Sequence, residues 1–263
     1  MTRRRFYASP ASFETSRVTL DREEAHHLRD VLRLSEGDEA FVFDGAGREF
    51  RCRVESVASR TNKRVGIEVK LEVCEQVAPP HAESPLRLTL AVALLKNEKF
   101  DWVVQKATEL GVSAIVPIET ARADVRIEAR MNKFGDDKEA MPRIARWQRL
   151  ALEAAKQSGR AFVPKVHAPR AFGDIIEEGT GILFTERDGR KLLDVVSALN
   201  MTRAGETSLT ALVGSEGGWT DDELMRATQA GWRLVTLGGR TLRAETAAVT
   251  IAALMQHLYG DLV

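Results

Sequence analysis

LTALVGSEGGWTDDELMRATQAGWRLVTLGGRTLRAETAA, Leu209–Ala248, holds two apolar strand-like runs, Leu209–Val213 and Arg233–Leu237. Each ends in a glycine loop, Gly214–Gly218 and Gly238–Gly239, and each loop leads into a helix signature. Between them Thr220 and Glu223 have the spacing of a capping box, which satisfies two orphan N–H groups at a helix start. Gly231 stands where that helix should stop. In an open α/β sheet, neighbouring strand ends with glycine loops hold a ligand at the carboxyl edge. The chemistry is therefore expected here, and the rest of the chain is read around it.

The balance of 44% hydrophobic and 29% charged residues is that of an ordinary globular protein, so disordered and fibrous classes are set aside. No run approaches the roughly 20 apolar residues that a membrane-spanning helix needs. MTRRRFYASP carries charge without an apolar core, so a secretory signal is not expected. Cys52 and Cys74 are the only cysteines, and their spacing suits neither a disulfide scaffold nor a metal site. Both read as small core-facing residues in a reducing cytoplasm. The formal net charge is zero, yet Ala121–Arg170 carries twelve Lys/Arg against six Asp/Glu. That excess suits either a phosphate-tracking surface or a solvated helix face.

Residues 1–75 read as short strands, Arg17–Leu20, Glu39–Phe43, Glu49–Val57 and Arg64–Val73, separated by turn signals such as Asp44-Gly45-Ala46-Gly47. One helical patch, Asp21–Leu34, interrupts them. The pattern predicts a small barrel. Residues 76–84, with two prolines and no periodicity, read as a linker. From residue 85 to 263 strands and helices alternate, which implies a mainly parallel sheet with helices on both faces. The predicted strands are Leu86–Leu95, Ala114–Ile118, Gly181–Thr185, Leu209–Val213 and Arg233–Leu237. The predicted helices are Lys99–Leu110, Pro142–Ser158, Leu192–Leu199, Asp221–Ala230 and Thr246–Tyr259; Arg122–Asp137 reads as a polar loop or short helix. The last helix has no Asp, Glu, Lys or Arg between Thr246 and Tyr259. Both its faces should be buried, one on the sheet and one, including Met255, on a second copy of the chain.

The loop after Val213 lacks both G-x-G-x-x-G and GK[ST], so dinucleotide and P-loop readings lose their defining residues. Glu216 within it would repel a phosphate and suits a cationic or hydroxyl-bearing ligand; S-adenosylmethionine is one. A plain strand-to-helix turn accounts for Gly214, Gly217 and Gly218 equally well. Arg240, Arg243 and Glu245 precede a helix start. They fit an anion-stabilising site or a surface Arg–Glu pair. His27 reads as a packed or capping residue, and of the four tryptophans most read as core, with Trp219 also placed to stack on a ring.

LVGSEGGWTDDEL and LGGRTLRAETAA resemble the GPEGG and LGPR-x-LR-x-ETA motifs of the RsmE family of ribosomal RNA small-subunit methyltransferases. QKATELGV (Gln105–Val112), WQRLALEAAKQSGR (Trp147–Arg160) and HHLRDVLRLSEGD (His26–Asp38) are similar to other motifs of that family, so the likeness spans nearly the whole chain. The resemblance implies an α/β SPOUT-type domain at 85–263 with a C-terminal trefoil knot, and a PUA-like, RNA-binding β-barrel at 1–75. It implies S-adenosylmethionine as methyl donor, no metal, a homodimer, a cytoplasmic place and N3 of a uridine in 16S rRNA as acceptor. Cofactor-binding positions fall on Phe184, Thr185 and Glu186, on Gly214, Glu216, Gly217 and Gly218, and on Leu237, Gly238, Leu242 and Thr246.

Arg243 is assigned to stabilise charge on the uracil carbonyls, and Glu245 to orient Arg243 or, second, to act as base. Arg3, Arg4, Arg5, Arg33, Arg122 and Arg126 are assigned to RNA. The family's usual prolines are Ser215 and Gly239 here, and Ala244 stands where threonine is common, so looser loops and one lost hydroxyl contact are expected. The rival readings are a methyltransferase of tRNA or large-subunit rRNA, a ribosome-assembly protein without catalysis, and a nucleotide-binding oxidoreductase.

Overall fold

The computed structural model describes residues 3–59, 67–96, 98–123, 140–198 and 207–262. The chain divides into two units, Met1–Glu83 with Ala155–Val163, and Ser84–Ala154 with Pro164–Val263.

In the first unit the strands are β1 (Arg5–Tyr7), β2 (Phe13–Glu14), β3 (Arg17–Leu20), β4 (Glu39–Phe43), β5 (Glu49–Ser59) and β6 (Ile67–Val77). They form one six-stranded sheet in the order β1-β4-β5-β6-β3-β2. Every pairing is antiparallel except β1 with β4. Register shifts at Arg51/Cys52 and Val54/Ser56 bend the long β5–β6 ribbon, as bulges do. Among the described residues the sheet ends at β1 and β2 and does not close, so it is a curled half-barrel where a barrel was expected. Phe6, Val18, Leu28, Val42, Val54 and Leu71 fill its concave side. The helical patch is a short helix α1 (Arg22–His26), capped by the Asp21 carboxylate on the Glu24 N–H, and then a π-helical turn, His27–Val31. His27 packs edge-on against Phe6, as a core histidine. Cys52 is buried, but Cys74 is exposed, because β6 turns that face to solvent.

Residues 155–163 were not expected in this unit. Buried ion pairs account for their place. Lys156 Nζ lies 2.6 Å from Glu24, Arg160 Nη2 lies 2.7 Å from Glu83, and Arg5 Nη2 donates to the Arg160 carbonyl at 3.0 Å. Glu24 and Arg160 are both nearly inaccessible. Pairing of such residues is what makes their burial tolerable.

The second unit begins with β7 (Leu86–Ala93), α2 (Lys99–Glu109), β8 (Ala114–Glu119) and α3 (Ala140–Ser158), the unit boundary falling within α3 after Ala154. It continues with β9 (Lys165–Val166), β10 (Arg170–Ala171), α4 (Phe172–Glu178), β11 (Ile182–Phe184), β12 (Arg190–Lys191) and α5 (Leu192–Ala198). β13 (Thr207–Val213), α6 (Asp221–Gln229), β14 (Arg233–Thr236) and α7 (Ala244–Tyr259) complete it. The elements expected from periodicity are all present, to within a residue or two at most ends. The two-residue strands and α4 are additions too short to leave a periodic signal.

The sheet runs β10-β8-β7-β13-β11-β14-β12, with β9 beside β8, and every pairing in it is parallel. Its central strands are apolar on both sides, as a doubly covered parallel sheet requires. α4 and α6 cover one face, with Phe172, Ile176, Leu224 and Ala227 against Leu183 and Leu212. The Thr220–Glu223 capping box forms as the sequence predicts, and Gly231 takes φ +87° just past the end of α6. α7 packs on β7, β13 and α2.

The strand order contains a crossing. β13 pairs on one side of β11 and β14 on the other, yet α7, which follows β14, packs back on β13 and β7. The Leu237–Arg243 segment therefore recrosses the carboxyl end of β11. This is the crossing on which C-terminal threading depends. α7 itself is less evenly apolar in its surroundings than expected. Ile251, Ala252, Met255 and Tyr259 are buried within the chain, whereas Val249, Ala253 and Leu254 are only partly covered. Met255 faces inward, so the outward face is carried by those three.

Candidate functional site: two cavities on one segment

Because β13, β11 and β14 are adjacent, the loops after them meet at one edge. They line a cavity of about 210 Å³. Phe184, Thr185 and Glu186 come from the loop after β11, Gly214, Gly217 and Gly218 from that after β13, and Leu237, Gly238 and Leu242 from that after β14. Nine of the eleven expected cofactor positions are thus brought together. Ala247 and Ile251 of α7 add an apolar wall, and Glu186 is an exposed carboxylate at the rim.

The glycines do two kinds of work. A Cβ on Gly214 would meet the Trp219 indole at 3.1 Å, and one on Gly217 would meet Arg122 Cβ at 3.0 Å. These two allow close packing. Gly218, Gly238 and Gly239 have φ of +66°, +73° and +74°, and a Cβ on any of them would meet nothing within 4 Å. Those three keep the cavity open. Proline, fixed near −65°, could not adopt the conformation of Gly239, so its loss is a change of backbone shape and not only of stiffness.

The other proline replacement is offset. Ser215 Oγ donates to the Arg122 carbonyl at 3.1 Å, and Arg122 Nη1 donates to the carbonyls of Gly217 and Trp219 at 3.2 and 3.1 Å. Arg122, though exposed, therefore braces this loop, a role its assignment to RNA did not anticipate. Trp219 is buried, donates Nε1–H to the Phe184 carbonyl at 2.8 Å and packs on Phe172. It ties two loops together and is not a free stacking surface.

Two expected cofactor residues lie elsewhere. Glu216 points out of the cavity into an ion pair with Lys99. Thr246 lines a second, larger cleft of about 1040 Å³, together with Arg243 and Glu245. The physical reason is the alternation of an extended segment leading into a helix. Leu242 and Ala244 face the loop cavity, while Arg243, Glu245 and Thr246 face the cleft. Arg243 is exposed and makes no ion pair among the described residues; in particular, none joins it to Glu245. Glu245 does not orient Arg243. Its Oε1 lies 4.0 Å from Lys99 Nζ, and its Oε2 is buried without a hydrogen-bond partner. The Glu245 side chain nevertheless lines the cleft, where a carboxylate can accept a hydrogen bond from a ligand.

The basic residues expected on RNA separate. Arg5 is nearly buried, its Nη2 2.8 Å from the fully buried Glu49, and Arg3 reaches Glu49 at 3.1 Å and the Ala78 carbonyl at 2.8 Å. Both side chains are engaged within the fold, Arg3 while still one third exposed, in place of the RNA contact expected of them. Arg4 is exposed, and so is Arg33, in a left-handed conformation with φ +53° after the π-helical turn. Arg126 lies outside the described residues. Sequence reading did not single out Lys99 and Trp102, which line the cleft together with Arg143 and Arg146 of the basic excess at Ala121–Arg170. One signal was available: Trp102 sits off the apolar stripe of α2, at a position where a polar residue is ordinary. Among the described residues no three His, Cys, Asp or Glu side chains group as metal ligands, and no helix is long and apolar enough to cross a membrane.

Comparison with known proteins places this geometry. Residues 82–256 match the RNA methyltransferase domain family, and residues 20–68 match the RNA methyltransferase PUA domain family. The chain is 34% identical over 262 residues to ribosomal RNA small subunit methyltransferase E of Synechocystis, covering 97% of this chain and 77% of that protein. It is 31% identical over 239 residues to the Bacillus subtilis protein of the same name, covering 89% and 87%. Among solved structures it is similar to a ribosomal RNA small subunit methyltransferase E from Neisseria gonorrhoeae bound to S-adenosyl methionine, with a TM-score of 0.80, 30% identity and full coverage of both chains. The half-barrel sheet and the parallel α/β sheet are thus shared with a solved relative matched over the whole of both chains, and the chain belongs to the ribosomal RNA small subunit methyltransferase E family.

Proposed function

We propose that this protein methylates N3 of a uridine in 16S rRNA of the small ribosomal subunit, with S-adenosylmethionine held in the loop cavity and the uracil in the cleft. One observation carries the reading: Leu242–Thr246 is a shared wall, with the loop cavity on one side and the cleft with Arg243 and Glu245 on the other. Donor and acceptor would meet across it. The cavity suits the cofactor on its own terms. It has open glycines where a bulky ligand lies against backbone, an apolar wall for a ring, a carboxylate at the rim for hydroxyls or a cation, and no phosphate fingerprint. Threading of the C-terminal segment into a knot would hold the three loops at fixed separation.

When bound, S-adenosylmethionine supplies a methyl group already activated by its sulfonium. The protein's work is to place N3 and to stabilise the charge that appears as N3 loses its proton. The Glu245 carboxylate, which lines the cleft with Arg243, would accept the N3–H, first as a hydrogen bond and then as a proton. Arg243, with no ion pair among the described residues, donates to a uracil carbonyl as negative charge spreads onto it. Methylated N3 is then neutral, with its proton on the carboxylate. Orientation of Arg243 by Glu245 would require a pairing that no ion pair among the described residues supplies.

The partly covered Val249, Ala253 and Leu254 leave an apolar stripe that a second copy would complete, so the working form would be a homodimer in the cytoplasm, where rRNA lies. Light scattering at micromolar concentration should give twice the mass of the chain, and a monomer there rejects the dimer. For the function, rRNA from a strain lacking this gene is incubated with protein and S-adenosylmethionine and mapped by mass spectrometry. One uridine should gain a methyl group on N3. A methyl on tRNA alone, or none, rejects the proposal.

A further inference from the structure

We infer that the cleft beside Arg243 is a nucleotide pocket in which the indole of Trp102 stacks on an everted pyrimidine and Arg143 holds a neighbouring phosphate. The inference rests on the methyltransferase reading above and names how the acceptor is held.

The four tryptophans differ in a way that packing alone does not explain. Trp147 is buried, packs on Phe100 at 4.5 Å between ring centroids, and donates Nε1–H to Asp101 at 2.9 Å. Trp219 and Trp232 are buried, with their N–H groups on the carbonyls of Phe184 and Ile176 at 2.8 and 3.2 Å. Trp102 is 41% exposed, and among the described residues its indole makes no ring contact and no hydrogen bond. It stands on α2, whose Phe100, Val103, Val104 and Ala107 already pack inward, so the fold does not require an aromatic side chain there. A large apolar ring left at the mouth of a cleft is a stacking platform, and base stacking on such a ring is tolerant of sequence.

The charges around it separate in the same manner. Arg146 is held by Asp101, and Lys99 by Glu216. Arg143 lines the same cleft, is exposed, and has no ion pair among the described residues. With Arg243 directed to a base carbonyl, Arg143 is the cation left for a phosphate. Arg143 and Arg243, with no ion pair among the described residues, and the Glu245 carboxylate beside them would be costly to bury under a protein partner. A nucleotide offers each of them a counterpart: a phosphate, a carbonyl and an N–H. At about 1040 Å³ the cleft exceeds what a free base needs and leaves space for sugar and phosphate. N3 lies on the pairing edge of uracil, so the nucleotide must be out of its stack to enter.

The test compares binding of two rRNA fragments, one intact and one abasic at the methylated position, by wild type, Trp102→Ala, Trp102→Phe and Arg143→Ala. Wild type should bind the intact fragment about 5- to 100-fold more tightly than the abasic one. Trp102→Ala should lose most of that preference and Trp102→Phe should keep most of it, both with unchanged melting temperature and cofactor affinity. Arg143→Ala should keep the preference but lower the salt slope of binding by about one. Undiminished preference in Trp102→Ala overturns the inference. So does conversion of that variant to a monomer with its preference intact, which would make the cleft a subunit interface. Wild type that methylates no rRNA rejects the parent reading and this one with it, whereas methylation with a Trp102-independent preference rejects the pocket alone.

Discussion

The arginines of the first unit and those of the cleft answer the same sequence signal in opposite ways. Arg3, Arg5 and Arg160 are satisfied within the fold: Glu49 lies under Arg3 and Arg5, and Glu83 under Arg160. Arg143 and Arg243 line a large cleft and find no carboxylate among the described residues. A basic residue is available to an anionic ligand only where the fold supplies no counter-ion, and that depends on residues far away in the chain. Arg5 and Glu49 are 44 positions apart.

The comparison breaks first if Arg5 can be removed without loss. Arg5→Ala leaves the fully buried Glu49 carboxylate with only its partly exposed pairing to Arg3. We expect a loss of about 3–5 kcal/mol in denaturant unfolding, with little change in the salt slope of RNA binding by the folded fraction. A stable variant with weakened RNA binding would return Arg5 to the RNA surface. Next in size is Arg243→Ala, for which the cleft reading expects single-turnover methylation at saturating RNA to fall about 10²- to 10³-fold, while RNA affinity changes little. A near wild-type rate would make Arg243 a binding or structural residue.

The third prediction sharpens the contrast between closed and open glycines. Gly218→Val places a branched side chain at φ +66° in the open part of the loop cavity. Cofactor affinity, read by calorimetry, should fall at least tenfold, about 1.4 kcal/mol, in a protein whose melting point moves only a few degrees. Unchanged affinity would remove this loop from the cofactor site.

The smallest effect concerns Glu24. Burial pushes its carboxyl above the usual carboxylate range; the Lys156 ammonium at 2.6 Å pulls the other way without overcoming it, and Oε2 has no hydrogen-bond partner. A raised folded pKa means the group favours folding when protonated. Its contribution is whole below the ordinary glutamate range and is lost as pH rises through the raised folded value. Wild type should therefore lose stability relative to Glu24→Gln as pH rises from acid toward neutral. Parallel unfolding curves at all pH values would show the ion pair to outweigh the burial.

Much of this was legible in the residues themselves. Alternating strand and helix periods gave the parallel sheet, Thr220 and Glu223 the start of α6 and Gly231 its end, and nine positions that the family resemblance implies for the cofactor line one cavity. These are local matters. A helix period, a cap or a positive φ is settled by residues within a turn of one another, so short-range chemistry suffices to read it. The return of residues 155–163 to the first unit, the satisfaction of Arg3 and Arg5, the turning of Glu216 to Lys99, and the division of Leu242–Thr246 between two cavities were decided only by tertiary structure. Each depends on which distant segment becomes a neighbour. That choice is a free-energy comparison over the whole chain, between a charge left in water and one buried beside a partner, and no local stretch contains both terms.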